Sequence, residues 1–94
     1  MVLGLCTIEL HLPANTSLKG KRSVLKSLMA RIRHQFNVSI AEVDLHDVWQ
    51  SAVIGVACVA NDQEYAHGLL AQVIRWIEQH RLDVELIDYR IEML

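Results

Sequence analysis

Phe36 to Ala60 reads FNVSIAEVDLHDVWQSAVIGVACVA, and this stretch decides the architecture. Phe36 to Val43 is rich in β-branched residues and short enough for one strand. Asp44-Leu-His-Asp47 then supplies turn-forming side chains, and Val48 to Ala60 is a second, longer strand. Two such runs joined by so short a turn form a hairpin, and a hairpin is antiparallel.

The segments on either side repeat one plan. Upstream, Val2 to Leu12 (VLGLCTIELHL) alternates at Thr7, Glu9 and His11, as a strand covered on one face does. Pro13-Ala-Asn-Thr16 ends it. Ser17 is placed as a helix N-cap, and Leu18, Val24, Leu25, Leu28, Met29 and Ile32 recur at helical spacing as far as Gln35. Downstream, Asn61 followed by Glu64 reads as a capping box, and Ala66, Leu69, Leu70, Val73 and Ile77 line one face of a helix ending near His80. Val84 to Met93 closes the chain as a half-buried strand, with Glu85, Ile87, Tyr89, Ile91 and Met93 alternating against Asp88, Arg90 and Glu92.

The element order is therefore β-α-β-β-α-β. Right-handed crossovers put both helices on one face of a four-stranded antiparallel sheet of order 4-1-3-2, an α+β, ferredoxin-like sandwich. Residues 1–94 are expected to form a single domain, with a core of Val, Leu, Ile and Ala because only five residues are aromatic. The opposite sheet face lies open, and Thr7, Glu9, His11, Asp88, Arg90 and Glu92 are expected to point there.

Net charge is −2, but the charges are segregated. Between Leu10 and Ala41 no acid occurs, and the window holds Lys19, Lys21, Arg22, Lys26, Arg31 and Arg33, six of the nine basic residues. At about 100° per residue, Lys19, Arg22, Lys26 and Arg33 fall within a stripe about 60° wide beside the apolar face of the first helix. Such a ridge of like charge is relieved by a polyanion, so Lys19, Lys21, Arg22, Lys26 and Arg33 are candidate nucleic-acid contacts. Thr16, Ser17 and Lys19, at the start of that helix, are candidates to hold an anion. The alternative is a solvated surface ridge and a simple helix cap.

Catalytic chemistry finds no footing. There is no GxxxxGK[ST] loop and no GxSxG; Cys6 and Cys58 stand alone in apolar runs, and the five histidines form no HxH or HxxxH pair. Acyl-phosphate hydrolysis on this fold needs a glycine-rich loop with an arginine, and Pro13-Ala-Asn-Thr-Ser-Leu18 supplies neither. No catalytic residue, metal or cofactor is expected. Trp49 and Trp76 could stack on bases, but the aromatic-basic RNP patterns are absent and neither is embedded among lysines or arginines, so both are read as packing or interface residues.

The isolated cysteines and an N-terminus without a charged n-region or signal core point to a reduced, cytoplasmic protein. The longest apolar run, Ala52 to Ala60, has nine residues, short of the roughly 20 a membrane helix needs. The strand 36–43 carries only Glu42 as a charge and is predicted to be an unprotected edge. A homodimer through that edge or through the open sheet face is the second partner reading.

Several of these residues also carry a resemblance. Leu10-His-Leu-Pro13, Ser17-Leu-Lys19 with Lys21-Arg22, Phe36-Asn-Val-Ser39 with Ala41-Glu-Val43, Trp49-Gln50 and Gly55-Val-Ala57 resemble the DUF503 (YlxP-like) family of small bacterial proteins over essentially the whole chain. The resemblance implies a ferredoxin-like fold and a link to translation, since members are often encoded beside initiation and ribosome-maturation factors. No activity comes with it. Gly20 departs from the family pattern, which usually has an acidic residue there. With Ser17 as N-cap this removes a capping box, weakens the helix start by ~1 kcal/mol and makes the segment more basic.

Overall fold

The computed structural model describes residues 1–94, along which the elements run β1 (Val2–His11), α1 (Leu18–Gln35), β2 (Ser39–Asp44), β3 (Ser51–Ala60), α2 (Gln63–His80) and β4 (Glu85–Met93). The strands form one antiparallel sheet in the order β2-β3-β1-β4, which is the expected 4-1-3-2 read from the other edge. With both helices on one face, this is the ferredoxin-like arrangement.

Period-two patterning builds the core. Cys6, Ile8 and Leu10 of β1 stand beside Val56, Ile54 and Ala52 of β3, and all six are buried beneath the helices. Leu25, Leu28 and Ile32 of α1 and Ala66, Leu70, Val73 and Ile77 of α2 close over them. A buried side chain of this size contributes ~1.5–3 kcal/mol, so truncating Ile8, opposite Ile54 at the centre, costs about 2–5 kcal/mol.

Several boundaries differ from the sequence reading for local reasons. β2 begins at Ser39 because Phe36 is the C-cap of α1, its N–H donating to the Ile32 carbonyl, and Val38 N–H turns back to the Phe36 carbonyl. β3 begins at Ser51 because the carbonyls of Val48 and Trp49 accept from side chains of Lys21 and Asn15, which withdraws them from strand pairing. The N-cap of α2 is Asp62, whose carboxylate accepts from Tyr65 N–H at 2.8 Å, so the expected Asn61–Glu64 capping box does not form. In β4, Glu9 faces Asp88 while Leu10 faces Leu86, so Ile87 is bulged out of register. That extra residue turns Leu86 to the core and leaves Ile87 exposed, the reverse of the predicted alternation.

On the open face Thr7, Glu9 and His11 lie opposite Arg90, Asp88 and Glu85. Only the β1–β4 half is polar. Leu5, Ala41, Val43, Gly55 and Ala57 line a shallow groove of about 330 Å³ on the β2–β3 side, an apolar half that the polar pattern of β1 and β4 did not announce.

Candidate nucleic-acid interface

α1 lies over the β2 side of the sheet, burying Lys21, Leu25, Leu28 and Ile32. Its two flanks have different neighbours. On one, Ser27 accepts from Arg81 Nη1 just beyond the C-terminus of α2. On the other, Arg33 Nη2 donates to the Ile40 carbonyl of the edge strand at 2.9 Å. Lys19, Arg22 and Lys26 share the Arg33 stripe, so the basic ridge looks outward along the edge of the domain, away from α2.

Lys19, Arg22, Lys26 and Arg33 are all exposed. The ion pairs of the chain are Lys21–Glu42, Arg81–Asp83 and Arg90–Glu92, and no ridge residue takes part in them. Arg31, also exposed and unpaired, stands farther round the helix. By contrast Arg81 is engaged: it holds the Asp83 carboxyl below the usual carboxylate range, chiefly through its hydrogen bonds to that group.

Lys21 does not belong to this surface, which corrects its place among the nucleic-acid candidates. Its side chain is 1% exposed, and Nζ donates to the carbonyls of Leu45 at 2.6 Å and Val48 at 2.8 Å. Glu42 Oε2, itself buried, lies 2.8 Å from Nζ in an ion contact that lacks the angle of a hydrogen bond. The ammonium therefore has three oxygen neighbours, which is what an interior lysine requires. A signal for this was present, because Lys21 precedes Leu25 by four and Leu28 by seven and so sits on the apolar face.

Of the anion candidates, Ser17 Oγ accepts from Gly20 N–H at 2.9 Å as the N-cap of α1, and Thr16 and Lys19 are exposed beside it. Half of a capping box is thus kept without an acid at Gly20. The space a Cβ would fill at Gly20 is taken by Asn15 Oδ1. Asn15 was missed by the sequence reading. Its Nδ2 donates to the Ser17 carbonyl at 2.7 Å and to the Trp49 carbonyl at 2.5 Å, tying the β1–α1 loop to the β2–β3 loop. Gln50 completes the tie by donating to the Asn15 carbonyl at 3.2 Å and the Pro13 carbonyl at 3.4 Å.

His11, His46, Cys6 and Cys58 are held by backbone or buried. His11 Nδ1 lies 2.8 Å from the Gln50 carbonyl and His46 Nε2 3.3 Å from the Glu42 carbonyl. Cys6 and Cys58 are both buried under the helices, and burial pushes the Cys6 thiol up to about 11. Trp76 stacks on His80 within α2, with ring centroids 5.1 Å apart. Trp49 has no such partner and stays 55% exposed.

The model of the family described as "Protein of unknown function (DUF503)" matches residues 3–91. The chain belongs to the DUF503 family. It is also similar to the "Uncharacterized protein YlxP" of Bacillus subtilis (strain 168), being 39% identical over 62 residues, 66% of this chain and 67% of that protein. This DUF503 chain has no helix long and apolar enough to cross a membrane.

Proposed function

We propose that this DUF503 chain is a non-enzymatic binding module whose α1 ridge docks on structured RNA, ribosomal RNA first among the candidates. The observation that carries the reading is the set Lys19, Arg22, Lys26 and Arg33, exposed on one flank and paired with no carboxylate of the chain. Such cations meet phosphates, which position a protein on RNA without reading its sequence. The gene neighbourhood that the family resemblance implies, beside translation factors, supports the ribosome as the source of that RNA.

The reading makes a quantitative demand. If each of the four ridge cations neutralises one phosphate, log K falls with log[salt] at a slope of roughly −3 to −3.6. Co-sedimentation with ribosomes across a salt series tests it, with Arg22→Glu/Lys26→Glu expected to release the protein at moderate salt. Binding that ignores both the salt and the double charge reversal would remove the reading.

A second reading, a homodimer through the open sheet face, is favoured by the apolar half of that face, where Val59 and Val43 are exposed. The other half of that face is charged, with Thr7, Glu9 and His11 opposite Arg90, Asp88 and Glu85, so the ridge ranks first. A mass above the monomer in light scattering at high concentration would support the dimer.

A further inference from the structure

Trp49 is the largest exposed side chain at the end of the molecule where the basic ridge begins. Its indole N–H makes no hydrogen bond within the chain, while the backbone around it is fixed. The Val48 carbonyl accepts from Lys21, the Trp49 carbonyl from Asn15, and the Gln50 carbonyl from Leu12 N–H at 2.8 Å. A rigid loop presenting a free aromatic face loses little entropy when a flat partner covers it. Trp76, in contrast, already has His80 against its ring.

Charge indicates what the flat partner is. The carboxamide of Asn15 bridges the Trp49 and Ser17 carbonyls, which holds the indole loop next to the first turn of α1, where Lys19 and Arg22 are exposed. The loop itself carries two opposing carboxylates, Asp47 and Asp44, whose Oδ1 accepts from Leu45 N–H, against the cations Lys19, Arg22 and Lys26 of the helix beside it. An aromatic face set beside unpaired cations matches a nucleotide, whose base stacks while its phosphates lie along the cations.

We infer that Trp49 is a stacking platform for an unpaired base of RNA whose neighbouring phosphates contact Lys19, Arg22 and Lys26. The inference rests on the RNA reading above and deepens it, adding an unpaired nucleotide to a docking otherwise made to backbone. Stacking tolerates any base, so the site selects single-stranded character over sequence.

The test is a titration of a short mixed-sequence single-stranded RNA, and of the same sequence as duplex, into the full chain and into Trp49→Phe, Trp49→Ala and Arg22→Glu/Lys26→Glu. Single-stranded RNA should quench the Trp49 component of the fluorescence, seen as the difference from Trp49→Phe, in which Trp76 alone emits. Trp49→Ala should lose about 5- to 150-fold in affinity for the single strand with an unchanged salt slope, Trp49→Phe should lose less, and duplex affinity should hold. Equal losses for strand and duplex, or a Trp49→Ala protein that binds the single strand as the parent does, would overturn the platform. In the second case continued sensitivity to Arg22→Glu/Lys26→Glu leaves the docking reading standing. Failure of the parent protein to bind either RNA or ribosomes removes both. Trp76 emission and far-UV circular dichroism of each variant confirm that a loss is not unfolding.

Discussion

Lys21 Nζ lies 2.8 Å from Glu42 Oε2 in the interior, and the same ammonium holds two carbonyls of the β2–β3 loop. This one side chain from the first turn of α1 thereby fixes β2 and the loop that carries Trp49. Leu45 supplies one of those carbonyls from a left-handed backbone, φ 59°, a conformation that a leucine adopts at a cost of about 1–2 kcal/mol. The lysine contact is what offsets that cost.

Removing the lysine should therefore be severe. Lys21→Met leaves a buried carboxylate and the Val48 carbonyl without a partner, while the Leu45 carbonyl keeps its bond from Val48 N–H, and urea unfolding should show a loss of about 3–5 kcal/mol. Adding Glu42→Leu should restore only part of it, because the Val48 carbonyl stays unpaired. A Lys21→Met protein within about 1 kcal/mol of the parent would show that the ammonium does not hold the loop.

Two glycines in helices should respond unequally to alanine. A Cβ at Gly68 in α2 meets nothing within 4 Å, so Gly68→Ala gains up to ~1 kcal/mol of helix propensity and raises Tm by about 4–8 °C. At Gly20 the new methyl meets Asn15 Oδ1, and the carboxamide has to leave the Ser17 and Trp49 carbonyls. Thermal melts should show Gly20→Ala stabilised less than Gly68→Ala, or destabilised.

The β2 edge has more protection than its sequence promised. Arg33 covers the Ile40 carbonyl, and a register shift between Glu42 and Asp44 distorts the rest of the edge. Arg33→Ala should change stability by about 1 kcal/mol or less yet promote self-association, visible as a concentration-dependent mass in light scattering. A variant as monodisperse as the parent would assign the protection to the bulge alone.

Alkaline pH should destabilise the fold through Cys6. An unfolded thiol loses its proton near 9.0, whereas the buried thiol keeps it to about 11, so above pH 9 the native state binds more protons than the unfolded one. Stability from this group is complete below pH 9 and declines as pH rises towards 11, by roughly 3 kcal/mol in all. The decline should be shallower in Cys6→Ala, measured as the difference between the two unfolding free energies across that window. Parallel curves would refute it.

Each strand and helix was recognisable because its signal repeats within the element. Alternation along Val2 to Leu12 and helical spacing from Leu18 to Ile32 follow from backbone geometry alone, and Ser17 caps its own helix. The strand order followed from chain direction and the handedness of crossovers. The clustering of Lys19, Arg22, Lys26 and Arg33 was equally local, a matter of angle around one axis.

What escaped that reading involves partners distant along the chain. Whether Lys21 faces solvent or the core turns on Glu42, Leu45 and Val48, and whether Trp49 sits beside the ridge turns on Asn15 across two loops. The bulge that ejects Ile87 exists only as a mismatch between β1 and β4. Periodicity belongs to a single backbone and is written in its own residues; satisfying a buried charge or setting a register takes two segments, and their meeting is fixed only once the layers pack.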